Sequence, residues 1–166
     1  MRTIYIALQG GKIVSIFGSA QGDPPDGYQE IDITDESPDP EIGGTISGNV
    51  CQPVPQVEKD AVLIEQKVKT LWAAADAYVN NYISGVAVGM LTIGVILQLP
   101  KALAVTAWVN SIWSEYYIRK AAVTAADPVD LDFNTFGDIP HSIPELREEL
   151  RVAQPGSGVL WQGVVQ

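Results

Sequence analysis

The chain has 166 residues, 46% of them hydrophobic, and 20 acidic against 10 basic side chains give a net charge of −10. That length suits one domain or one core with appended segments, and a mean hydropathy of +0.11 is too apolar for wholesale disorder. The acid excess repels phosphate backbones and anionic lipid, and the one adjacent basic pair is Arg119-Lys120, so no nucleic-acid partner is expected.

Residues 3–17 read as a β-hairpin. TIYIAL and KIVSIF are rich in β-branched and aromatic residues, and Gln9-Gly10-Gly11 supplies the positive φ angles of a tight turn. The opening stretch, MRTIYIALQGGK, is too briefly apolar for a secretory signal, so export by that route is not expected. Gly18 to Gly27 is turn material around Pro24-Pro25. Tyr28 to Ile33 alternates, Ile31 and Ile33 against Glu30 and Asp32, which predicts a half-buried third strand. Residues 1–33 therefore form a small antiparallel meander. Residues 34–56 are rich in proline and glycine and weakly periodic, which predicts a linker or wrapping loop and places the domain boundary there.

A helix is expected from about Val57. Ala61, Ile64, Val68, Leu71, Ala75, Tyr78 and Tyr82 recur at alternating steps of three and four, an apolar seam of about three heptads. The seam fits a coiled coil and equally fits an amphipathic helix packed in its own domain. The run Ile83–Leu99 then lies within an uncharged window, Ala77 to Pro100. It falls short of the about 20 residues that span a bilayer, and Asn80, Asn81 and Ser84 make its start polar, so a buried helix is expected. Gly85 and Gly89 form a GxxxG pair; with Gly94 they are expected to make the flat floor of a helical hairpin. Pro100 starts the second helix, Lys101 to Ala126, whose Val105, Trp108, Val109, Ile112, Trp113 and Tyr116 share a face. Trp108 and Trp113 should pack on the glycine floor. The helical region is thus 57–126, followed by a C-terminal part, 127–166. In it, residues 127–141 are acidic and irregular, Ser142 and Glu145 make a capping box before a helix over Ile143–Val152, and Val159–Val165 is an apolar, strand-like tail suited to docking on its own domain or on a neighbour. The fold class is α+β.

No constellation carries catalysis. Asp130, Asp132 and Asn134 imitate the start of a calcium loop, but Thr135 stands where glycine is needed and His141 where a bidentate glutamate belongs. His141 is the one histidine and Cys51 the one cysteine, so a two-histidine metal site, an intrachain disulfide and a CxxC motif are all excluded. Gly10-Gly11-Lys12 and Gly43-Gly44-Thr45 lack the spacing of a phosphate loop. Glu145, Glu148 and Glu149 read as the wet face of a helix. A protein that is not an enzyme and uses no cofactor or metal is expected. The aromatic residues Trp72, Tyr78, Tyr82, Trp108, Trp113, Tyr116 and Tyr117, with Trp161 in the tail, are the candidate protein–protein interface; the competing reading is that they form the core.

The segments YISGVAVGMLTIGV and PKALAVTAWVNSIWSEYYIRKA resemble small proteins of tailed-bacteriophage tails. YIALQGGKIVSIFGSAQ with YQEIDIT resembles the openings of tail-fibre-associated and tail-fibre assembly proteins. The resemblance covers roughly half the chain and implies a structural role. Expected on that basis are a virion tail component made in the host bacterial cytoplasm, fibre or baseplate proteins as partners, and a homo-oligomer, a trimer matching fibre symmetry. The resemblance offers no catalytic residues. Rival readings are a tail-fibre assembly chaperone and a holin-like membrane protein spanning with 83–99; no membrane partner is expected on the first two.

Overall fold

A computed structural model of the chain describes residues 1–17 and 23–154. The fold is α+β, as the sequence predicts, in two compact units, Met1–Leu63 and Ile64–Gln166. The C-terminal tail with Trp161 and part of the Gly18–Gly27 turn lie outside the described residues.

The first unit is one antiparallel sheet. Strands β1 (Arg2–Gln9), β2 (Lys12–Phe17), β3 (Gln29–Ile33), β4 (Thr45–Ser47) and β5 (Val50–Gln52) run in the order β3-β1-β2-β4-β5. Gly10 and Gly11 turn the first hairpin with φ of 59° and 78°, the left-handed values that glycine adopts without steric cost. Ile6, Ile13, Ile33 and Cys51 are buried, while Glu30 and Asp32 stay exposed. The sheet is larger than a three-stranded meander because residues 34–56, expected as a linker or wrapping loop, also carry two short strands. Gly43 and Gly44 bond the backbone of Ile13 at 2.7 and 2.8 Å, bringing β4 and β5 alongside β2. A Cβ on Gly44 would stand 2.5 Å from the Gln52 carbonyl oxygen, so the join demands a residue without one. Residues 34–44 wrap the sheet: the Arg2 guanidinium donates to Asp39 and to the Ser37 carbonyl, and the buried Ser37 hydroxyl accepts from the Cys51 amide. The boundary between units consequently falls inside the first helix and not in the loop.

The helices are α1 (Gln56–Asn80), α2 (Gly85–Ile96), α3 (Pro100–Ala121) and α4 (Ile143–Ala153). The seam of α1 divides along its length: Ala61 is exposed, Ile64 and Val68 are half-buried, and Leu71, Ala75 and Tyr78 are buried within the second unit. The apolar run forms α2, separate from α1. Asn80, Asn81 and Ser84 are weak helix formers that favour caps and turns, and the chain bends by 76° between α1 and α2. No single helix among the described residues is long and apolar enough to cross a membrane. At its far end α2 closes in a Schellman motif: the Leu99 amide donates to Gly94 and that of Gln98 to Val95, with Gln98 at φ 56°. Such a conformation costs an ordinary residue energy.

The three glycines of α2 part company. Gly94 is buried, and a Cβ placed there would collide with the Cβ of Ala102 on α3. Gly85 and Gly89 face the other way, with nothing near them, and Val86, Val88 and Ile96 are exposed beside them. The hairpin floor is therefore a single glycine. Ile83, Ala87, Met90, Ala102 and Val105 form one core with Leu146 and Leu150 of α4, so α4 packs on the helical hairpin. Gly89→Ala should stabilise the isolated chain by about 1 kcal/mol. Gly94→Ala should destabilise it by about 1–3 kcal/mol through overpacking, and Ala102→Gly in the same chain should restore much of the loss; chemical denaturation midpoints read all three.

Candidate interaction surface

Helix periodicity puts Trp108, Ile112, Trp113 and Tyr116 on one side of α3, and α1 meets that side with Leu71, Ala75 and Tyr78. The tryptophans therefore pack on α1 and not on the glycines of α2. Trp108 lies 5.9 Å from the Tyr78 ring and 5.3 Å from the Tyr82 ring, while Trp113 lies 6.3 Å from Trp72 and 5.6 Å from Tyr116. The reason is size. At Gly94 and Ala102 the approach of α2 to α3 leaves no room for an indole, whereas the alanines of α1 do.

Three of these rings also carry polar tethers. Tyr78 donates to the Gly137 carbonyl at 2.6 Å, Tyr82 to the Asp138 carboxylate at 2.8 Å, and the Trp108 indole to the Phe136 carbonyl at 3.2 Å. Together they pin the irregular segment between α3 and α4, whose Phe133 is buried 6.4 Å from Tyr78. Buried phenols and indoles need such partners; Tyr78 is buried, and Tyr82 and Trp108 are half-buried. Tyr116 is buried as well. What remains for a partner is the outer rim: Trp72 is 49% exposed and Tyr117 63%, with Ile118 exposed beside Tyr117. Trp113 and Tyr116 link Trp72 and Tyr117 through a run of ring contacts. The eight-residue aromatic set thus divides into core, rim and, for Trp161, a position outside the described residues.

The acidic loop that imitates a calcium site already holds a cation of its own chain. Arg119, only 14% exposed, pairs with Glu115 at 2.8 Å and Asp130 at 3.1 Å. It also donates to the carbonyls of Asp130 and Asp132 and lies 4.6 Å from the centre of the Phe133 ring. The Asp130 and Asp132 side chains accept from backbone amides two residues on, the local turns such residues favour. Nearby, the Lys67 ammonium donates to the carbonyls of Thr124, Ala125 and Asp127 at 2.6 to 2.9 Å. No group of His, Cys, Asp or Glu among the described residues is placed to hold a metal. The glutamates of α4 are not simply a wet face. Glu145 closes the capping box with Ser142, whose backbone and hydroxyl hydrogen bonds hold its carboxyl below the usual carboxylate range. Glu148 pairs with Arg151, and the half-buried Glu149 accepts from the Lys101 amide at the start of α3, a favourable place for a negative charge.

A second surface has no counterpart among the aromatic candidates. Between the end of α1, α2 and α3 lies a groove of about 400 Å³, lined by Val79, Ile83, Leu91, Val95 and Val109 with Val88, Thr92, Ile96 and Thr106 at its edges. Among the described residues, none that lines it is charged. The uncharged window of the sequence signals such a surface only when the break at residues 81–84 is known, because a straight helix would have buried it differently. No protein family, curated protein or solved structure matches the chain.

The hydrogen bond to Asp138, with desolvation second, pushes the Tyr82 phenol up to about 12. A raised acid favours the folded state at pH below the unfolded value near 10, and that contribution disappears as pH rises through the folded value. Tyr82 should form tyrosinate in a late step, near pH 12. In absorbance titration Tyr82→Phe should remove that late step, and Asp138→Asn should bring it down toward the ordinary range.

Proposed function

We propose that the chain is a non-enzymatic structural component of a bacteriophage tail, fibre- or baseplate-associated, working through protein–protein contacts on its helical unit. The observation that carries the interaction part of this reading is the uncharged α2, which leaves Val86, Val88 and Ile96 exposed beside an apolar groove. Contiguous apolar surface of that kind marks places where proteins meet. The rim of Trp72 and Tyr117 supports it, since tryptophan and tyrosine are favoured in interfaces. The tail assignment itself rests on the sequence resemblance. A homo-oligomer, a trimer under fibre symmetry, is part of the proposal, and no cofactor, metal or nucleic acid enters it.

Purified virions analysed by mass spectrometry should contain the chain at a fixed ratio to fibre or baseplate protein. Presence in infected cells but not in particles would favour an assembly chaperone instead. A strict monomer by sedimentation that leaves purified tails untouched would remove the structural reading altogether. Val88→Asp, placed on the exposed side of α2, should reduce incorporation at least tenfold while leaving helix content unchanged.

A further inference from the structure

The groove on α2 and α3 is open along its length, yet its lining is as apolar as a core. Val79, Ile83, Leu91, Val95 and Val109 form its floor, and the polar atoms at its edge are the hydroxyls of Thr92 and Thr106. Both hydroxyls already donate to helix carbonyls of their own turns, at 2.9 and 2.8 Å, so neither asks for a partner. A volume of about 400 Å³ falls within the range of about 300–1,000 Å³ that suits a compact apolar ligand. An occupant must therefore be apolar, uncharged and able to insert one or two large side chains.

The same chain contains such a segment. Residues 155–166, PGSGVLWQGVVQ, carry no charge, and VLWQGVV offers Val159, Leu160 and Trp161 in a row. The segment leaves α4, whose last turn lies against the hairpin: Leu150 belongs to the core with Ala87, Met90, Ala102 and Val105, and Glu149 bonds the first turn of α3. Val95 and Ile96 on the groove wall lie at this same end of the hairpin, just before the turn into α3. Ala87 and Met90 face α4's core while Val88, Leu91 and Val95 face the groove, so the two are adjacent sides of one helix. Passing from one side to the other means crossing roughly one helix diameter, about 10–12 Å. The six residues from Pro155 to Leu160 reach about 20 Å when extended, and Gly156-Ser157-Gly158 within them impose no direction of their own. Charge, size and reach all agree.

We propose that the groove is the seat of this chain's own segment 159–165, with Leu160 and Trp161 inserted between α2 and α3, so that the apolar surface is covered until a partner displaces the segment. The proposal shares its groove with the interaction surface proposed above but not the tail assignment, and dye binding reads what covers the groove whether or not a tail partner exists.

The test uses the full chain and the dye 1-anilinonaphthalene-8-sulfonate, which brightens on apolar surface. The native chain should bind it weakly, and the full-length double variant Leu160→Ser with Trp161→Ser should raise the signal at least fivefold with unchanged circular dichroism. A synthetic peptide of residues 155–166 added to that variant should suppress the gain. Thr92→Asp, which puts a charge at the groove edge with the tail intact, should also raise the dye signal. Equal dye binding by the native chain and the double variant would overturn the proposal, as would a peptide without effect. A native chain that sediments as a dimer and becomes monomeric in the double variant would assign the groove to a neighbour's tail and overturn the same-chain seat.

Discussion

The second unit depends on how closely α2 and α3 approach at Gly94 and Ala102. Neither residue has a side chain long enough to hold the backbones apart, so the hairpin closes to near contact. The turn that allows it is tight enough to put Gln98 into a left-handed conformation, where glycine would cost less. The cost is tolerable because both orphan amides of the turn find carbonyls and because the core below it is continuous with α4. Once the two helices are this close, no large ring of α3 fits between them at Gly94 and Ala102. That is why the tryptophans meet α1, and why α2, lacking bulky cover, keeps an apolar face outward.

The aromatic residues and the two internal cations then act on the same segment from different directions. Tyr78, Tyr82 and Trp108 hold 136–138 by hydrogen bonds, Arg119 holds 130–133, and Lys67 holds 124–127. A stretch without regular structure must satisfy its carbonyls somehow, and here long side chains of the helices do so. The net acidity of the chain conceals this, because Arg119 and Lys67 are placed where carbonyls converge. The apparent calcium loop is a guanidinium clasp.

Much of this was legible from residues alone, and the failures have physical causes. The first hairpin, the alternating third strand, the capping box at Ser142 and the start of α3 at Pro100 all follow from local chemistry, which needs no tertiary partner. The strands Thr45–Ser47 and Val50–Gln52 were hidden because three residues cannot display a period, and their place beside β2 is fixed by Gly43 and Gly44 meeting Ile13, far back along the chain. The break at residues 81–84 was signalled by its two asparagines and Ser84 but overshadowed by the apolar run behind it. Which glycine faces a neighbour is a matter of phase along α2, and that phase changed once the helix began at Gly85 instead of continuing from α1. Seven aromatic side chains looked alike in sequence and divide into buried, tethered and exposed in the fold, because their neighbours come from other helices and from the segment before α4. The groove depends on three helices at once and had no local signature.

Cys51 lies buried in β5, its amide held by the Ser37 hydroxyl. As the one thiol in the sequence, it leaves the native surface without a reactive sulfur. A cysteine introduced at any exposed position would consequently be the sole site for a fluorophore, spin label or heavy atom. The protein can be tagged at one chosen point without first deleting a residue from its core.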